Sequence, residues 1–163
     1  MYSIIFLLFI VLANISVALF GEWASILNAF LFIGGDLAIR DKLHEEWKDQ
    51  LITKMGALIL LGGLISFILN KDAGIIAIAS VVAFIGASII DALIYQGLID
   101  QKYLIKANGS NIGGSLVDSI VFPTIAFGGF NLWITTMQMF AKIFGGFFWS
   151  LIINYVDAHK SSS

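Results

Sequence analysis

Cysteine is absent from the chain, proline occurs once, at Pro123, and histidine occurs twice. Without cysteine there are no disulfides, thiolate metal sites or cysteine nucleophiles. With a single proline, helices are expected to run mostly unbroken. Charge is scarce too: 12% of the 163 residues are Asp, Glu, Lys or Arg, with a net charge of −2, so nothing suggests a nucleic-acid surface. No Gly-x-x-x-x-Gly-Lys motif occurs, so the chain has no ATP-hydrolysing P-loop of its own. "HEEWK" at His44 lacks the second histidine of a metalloprotease helix, and His159 reads as a surface residue. No metal-ligand spacing, Ser-His pair or cofactor fingerprint is found, so neither an enzyme nor a bound metal or cofactor is expected.

What fills the chain is apolar. Hydrophobic residues make up 59% of it and the mean hydropathy is +0.94, against about 45–50% apolar and about 25% charged in soluble domains. A soluble chain of this size has no core large enough to hide that surface, so part of its solvent is lipid. A bilayer core of about 30 Å takes about 20 residues of helix. Six such spans are predicted: Ser3–Phe20, Ala24–Ile39, Leu51–Leu69, Gly74–Gly97, Ile112–Phe130 and Trp133–Val156. The expected fold is an all-α integral membrane bundle of six transmembrane helices with short loops. It forms one domain over 1–158, followed by a short polar tail over 159–163.

The first span has no basic region before it and is expected to be a retained anchor, not a cleaved leader. Arg40, Lys42, Lys48, Lys54, Lys102, Lys106 and Lys160 fall on one side of this topology, and only Lys71 on the other. The positive side is the cytoplasmic one, which puts both termini in the cytoplasm. Between spans two and three, "RDKLHEEWKDQL" repeats Leu43, Trp47 and Leu51 on one helical face, as an amphipathic segment on the inner leaflet would.

Against this apolar background four ionisable side chains stand out within the spans: Asp36, Asp91, Asp118 and Lys142. A charge at a helix centre costs roughly 2.5–3.5 kcal/mol even on lenient insertion scales, so such residues face protein or water. Asp91 continues a stripe of Ala79, Ala83 and Ala87, and Asp118 shares one with Gly114; small residues let a neighbouring helix approach. Thr135, Gln138, Lys142 and Gly145 or Gly146 line one face of the last span, and Asn28 and Asp36 lie near one face of the second. "GASIIDALIY" (Gly86–Tyr95) is repeated as "GGSLVDSIVF" (Gly113–Phe122), with the two aspartates at matching places in antiparallel spans. Such local repeats mark the interface where transporters often bind substrate.

The expectation is a polar chamber inside the bundle, lined by three carboxylates and one ammonium. Asp36 and Arg40, four residues apart, read equally as a simple helix-end pair. Lys142 reads also as a purely structural partner of Asp118 or Asp91, although an apolar replacement serves packing as well. Two carboxylates against one ammonium leave an excess to be met by a proton or a ligand. A carboxylate accepts two parallel hydrogen bonds, as the N–H and NH₂ edge of a guanine-like base offers. Lys142 or Gln138 suits the neighbouring carbonyl, and Phe122, Tyr95, Phe144 and Trp149 offer flat faces. A cationic solute or a proton also suits the acids. Glycine pairs at Gly34–Gly35, Gly62–Gly63, Gly113–Gly114, Gly128–Gly129 and Gly145–Gly146 read as close packing or as hinges.

Taken in order, "FLFIGGDLAIRDKLHEEW" (Phe30–Trp47), "GGSLVDSIVFPTIAF" (Gly113–Phe127) and the intramembrane Lys142 resemble the queuosine precursor transporter family, also labelled vitamin-uptake-transporter-like. The resemblance implies import of 7-cyano- or 7-aminomethyl-7-deazaguanine across the cytoplasmic (inner) membrane. It makes Asp36, Arg40, Asp118 and Lys142 the matching positions; Asp91 is added from the repeat, and Gln138 and Asn28 from the polar faces. The expected partners are a purine-like small molecule and membrane lipid, with homo-oligomerisation left open. Two other classes compete. One is a substrate-capture subunit of a multi-component vitamin importer, and the other a non-transporting membrane assembly protein. The second of these has no need of carboxylates at matched depth in adjacent spans.

Overall fold

Long apolar runs with no internal proline leave helix as the arrangement that satisfies its own backbone hydrogen bonds in hydrocarbon. The computed structural model of the protein describes residues 2–47, 50–101 and 103–160, without the side chains of residues 41, 44–45, 51, 92, 95, 103–108, 154 and 157–160. Lys48 and Lys102 of the orientation count fall outside the described residues, as do the side chains of Lys106, Lys160, His44, His159 and Tyr95.

Described residues form helices and short connections, with no strand among them. In chain order these are α1 (Tyr2–Phe20), α2 (Glu22–Asn28), a π-helical turn (Ala29–Ile33), α3 (Gly34–Trp47), α4 (Leu51–Leu69), α5 (Ala73–Gly97), α6 (Tyr103–Ala126) and α7 (Leu132–Lys160). α2, the π turn and α3 follow one another without a break. Among the described residues, five stretches are long and apolar enough to cross a membrane: Tyr2–Phe20, Glu22–Arg40, Ile52–Leu69, Ala73–Asp91 and Leu132–Ile153. α6 has 24 residues, about 36 Å at 1.5 Å per residue. Its interior is diluted by Asn111, Ser115, Asp118 and Ser119, which keeps it out of that set.

Sharp connections use glycine where the backbone turns left-handed: Gly21 between α1 and α2 and Gly128 between α6 and α7 both have φ of 75°. Asn131 starts α7, its Oδ1 accepting from the backbone N–H groups of Trp133 (3.0 Å) and Ile134 (3.2 Å). Pro123 lies inside α6, one turn before its end at Ala126.

Burial is inverted relative to a water-soluble domain. Asn14, Ser25, Asn28, Ser66, Ser119, Gln138 and Lys142 are buried, while Leu8, Leu64, Ile78, Ile85, Phe144 and Phe147 are exposed. An apolar exterior this extensive is the surface that lipid covers. A cluster of Phe6, Ile10, Ile39, Leu43, Met55, Ile59 and Ile153 ties α1, α3, α4 and α7 together. Leu43 corrects one expectation. The helix runs past Arg40 to Trp47, Leu43 is fully buried in this cluster, and Trp47 packs against it. Of the face read as lying on the membrane surface, Leu43 and Trp47 therefore pack on protein, with Lys54 Nζ 5.4 Å from the Trp47 ring centre; the Leu51 side chain lies outside the described residues.

The glycine pairs at 34–35, 62–63, 113–114 and 145–146 sit at close helix approaches, whereas Gly128 and Gly129 meet nothing. The tightest approach of backbone to backbone is the crossing of α7 over the π turn. A Cβ on Gly34 would lie 2.6 Å from the Gly145 carbonyl carbon, and one on Gly145 would collide with the Phe30 carbonyl oxygen. Backbone there cannot give way as a flexible side chain can. Gly145→Ala is therefore expected to destabilise by about 1–3 kcal/mol, the usual cost of overpacking. Thermal unfolding in detergent measures it, with Gly129→Ala, in open space, as the comparison that leaves the melting temperature unmoved.

Candidate functional site

A cavity of about 150 Å³ lies between all seven α-helices, α4 contributing Met55 and Ile59. Asn28, Asp36, Arg40, Asp91, Asp118, Gln138 and Lys142, the seven residues singled out in the sequence, all line it. The π turn helps bring two of them together. In a regular helix at 100° per residue, positions 28 and 36 are about 80° apart. A π turn closes i→i+5 and takes up roughly one residue, which turns Asn28 and Asp36 toward the same space.

Lys142 is buried, with 3% of its side chain exposed, and its Nζ donates to Asp118 Oδ2 and to Ser119 Oγ at 2.9 Å. Asp118 keeps 26% of its side-chain surface, and it lines the cavity. Of the two aspartates open to Lys142 in the sequence reading, it is Asp118 that takes it. Arg40 does not pair with Asp36. Its Nη2 donates instead to Asn111 Oδ1 on α6, at 2.5 Å, so the helix-end pair is corrected: a tertiary partner 71 positions away wins over the i, i+4 neighbour. Asp36 Oδ1 and Asp91 Oδ1 are buried without a hydrogen-bond partner among the described residues.

Both chamber amides spend their donors on protein. Asn28 Nδ2 donates to the Ala13 carbonyl (3.1 Å) and to Ser16 Oγ (2.7 Å). Gln138 Nε2 donates to Ser25 Oγ at 2.8 Å, while the Ser25 hydroxyl donates to the Glu22 carbonyl. A carbonyl only accepts, so the Asn28 orientation is fixed; the committed Ser25 proton fixes that of Gln138. With the unpartnered Asp36 and Asp91 oxygens in its lining, the cavity suits a ligand that brings N–H groups.

The sequence repeat has a counterpart in space. A Cβ on Gly113 would meet Ile90 Cγ2 at 3.6 Å, and one on Gly86 would meet Val117 Cγ1 at 3.4 Å. Gly86 and Ile90 correspond to Gly113 and Val117 in the two copies. Their counterparts Ala87 and Gly114 face each other, a Gly114 Cβ lying 3.3 Å from the Ala87 carbonyl oxygen and 3.5 Å from Asp91 Cβ. Reciprocal contacts of this kind are the mark of a two-fold relation, here a local one between α5 and α6.

Aromatic faces differ from the sequence reading. Phe122 lines the cavity and is joined by Phe6 and Phe84. Phe144, 63% exposed, points away from the interior, and Trp149 packs on Phe9 with ring centres 5.4 Å apart. Ser88, Ser115 and Asn111 were missed as lining residues; the two serines hold equal places in the repeat, a signal that was there to use. A second cleft, lined by Arg40, Asn111, Ser115 and Lys142, adjoins the first and reaches the exposed Ile112, Ile143 and Phe147.

Removing Lys142 leaves Asp118 uncompensated, which costs about 3–5 kcal/mol for a fully buried pair and less here, because Asp118 keeps contact with the cavity. Lys142→Met is expected to lower the melting temperature, and Asp118→Asn added to it is expected to restore most of the loss. A double-mutant cycle on thermal unfolding measures the coupling; strictly additive losses would contradict the pair.

No match was found among curated proteins or among solved structures. The family model described as "Putative vitamin uptake transporter" matches residues 2–159. With membrane-length apolar helices, an inverted exterior and a match over nearly its whole length, the chain is a multi-pass membrane protein that belongs to the vitamin uptake transporter family, the queuosine precursor transporter-like family.

Proposed function

We propose that the protein imports a 7-deazaguanine base, 7-cyano- or 7-aminomethyl-7-deazaguanine, across the cytoplasmic membrane, binding it in the cavity at the centre of the bundle. Family membership supports transport. The observation that carries the choice of ligand is the set of carboxylates in one cavity, Asp118 with 26% of its side chain still open and Asp36 and Asp91 each with an unpartnered oxygen among the described residues, which Phe6, Phe84 and Phe122 also line. A guanine-like edge presents adjacent N–H and NH₂ donors, which a carboxylate accepts as a fork. Phenyl faces take the flat ring. Lys142, held by Asp118 and Ser119, has an ammonium hydrogen left for the base carbonyl.

In this reading all six long helical runs cross the membrane and both termini are cytoplasmic, α6 crossing because its polar face is turned inward. Asp36, Arg40, Asp91, Asp118, Lys142, Gln138 and Asn28 contact or orient the base. Transport is by the chain itself, without a partner ATPase.

Uptake of labelled base by purified protein in liposomes tests this reading. Wild type is expected to accumulate the base; Asp118→Asn and Lys142→Ala are each expected to lower uptake at least tenfold. Uptake only after a partner protein is added would favour a substrate-capture subunit. Wild-type uptake in both variants would reject the site assignment while leaving transport standing.

A further inference from the structure

The charges around the cavity do not balance. Asp36, Asp91 and Asp118 face Arg40 and Lys142, a formal excess of one negative charge. The pairing is lopsided as well. Lys142 is committed to Asp118, and Arg40 donates to a neutral amide, Asn111. Asp36, 7% exposed, and Asp91 each keep a buried carboxyl oxygen with no partner among the described residues. A buried carboxylate is retained at high cost unless something pairs with it.

The local two-fold of α5 and α6 shows what is missing. It relates Asp118 to Asp91, and Gly114 to Ala87, through the reciprocal contacts of Gly86 and Gly113. Asp118 has an ammonium against it; its counterpart has none among the described residues, although both line the same cavity. Asp36 lines that same cavity from α3. A cation that enters it meets carboxyl groups in a poorly screened setting.

We infer that Asp36 and Asp91 form a cation subsite, which receives a primary ammonium carried by the transported ring in the way that Asp118 receives Lys142. Resting on the base-import reading, this makes the aminomethyl-bearing, positively charged 7-deazaguanine the preferred cargo over the neutral nitrile. Asp118 and Lys142 serve the ring that both bases share; Asp36 and Asp91 select the substituent.

Competition binding to the purified full chain in detergent separates the two readings. Labelled 7-cyano-7-deazaguanine is displaced by either unlabelled base, and thermal shift is read in parallel with benzylammonium and its neutral analogue benzyl alcohol. Wild type is expected to prefer the aminomethyl base at least tenfold, about 1.4 kcal/mol, and to be stabilised by benzylammonium alone. In Asp36→Asn and in Asp91→Asn the preference should fall below threefold and the benzylammonium shift should disappear. Each variant is used only where its melting temperature shows a folded protein, so either one suffices. Equal affinity for both bases in wild type, or an undiminished preference in a folded variant, overturns the subsite while base import stands. Stabilisation by benzylammonium with no binding of either base would keep the subsite and overturn the 7-deazaguanine reading.

Discussion

Hydrocarbon will not solvate an ion, and this sets the packing of the whole bundle. Lys142 is buried in the middle of α7, in the most costly place a charge can occupy. It is tolerable because α6 brings Asp118 and Ser119 to it. That contact holds α6 against α7, and α6 in turn packs closely along α5 through Gly113 and Gly114. Polar groups on α1, α4 and α5 are drawn inward on the same grounds: Asn14 receives the Ser80 hydroxyl (2.9 Å) and donates to Ser66 (3.3 Å), tying three helices together. The outer surfaces are then left to Leu, Ile and Phe, which lipid covers.

Backbone contact at the crossing of α7 and the π turn gives that interior its register. Gly34 and Gly145 allow the two chains to touch, and Phe30 stacks on Phe148 beside them with ring centres 5.9 Å apart. Lys142 and Gln138 lie about one and two turns from this point along α7, and Asn28 and Asp36 flank it on the facing helix. Transport proteins commonly place a broken or irregular helix at the site, because the irregular turn re-aims side chains that a regular helix would send elsewhere.

Much of this was legible in the chain. α4 begins and ends where its apolar run does, at Leu51 and Leu69, and the seven residues chosen for polarity and spacing all reach one cavity. Stripes such as Ala79–Ala83–Ala87–Asp91 identify the protein-facing side of a helix directly. What was not legible depends on tertiary choice. The partner of Arg40 is Asn111, on a helix that sequence spacing cannot bring near. The continuation of α3 to Trp47 hides Leu43 in a core that charge alone makes look like a surface. Phe144 and Trp149 could not be told apart from Phe6 and Phe84, because helices apolar on every side carry no signal of which aromatic turns inward. The π turn leaves no mark in composition at all.

Central to the account is an enclosed, wetted chamber that a flat, donor-rich base occupies, and the absence of native cysteine makes it directly accessible to chemistry. Single cysteines at the lining positions Ser88 and Ser115, and at the outward-facing Phe144, would be treated with a water-soluble maleimide, with and without saturating 7-aminomethyl-7-deazaguanine. The account predicts labelling at Ser88→Cys and Ser115→Cys that the base suppresses, and none at Phe144→Cys. Lining cysteines that stay unlabelled, or that label equally with the base present, would contradict it.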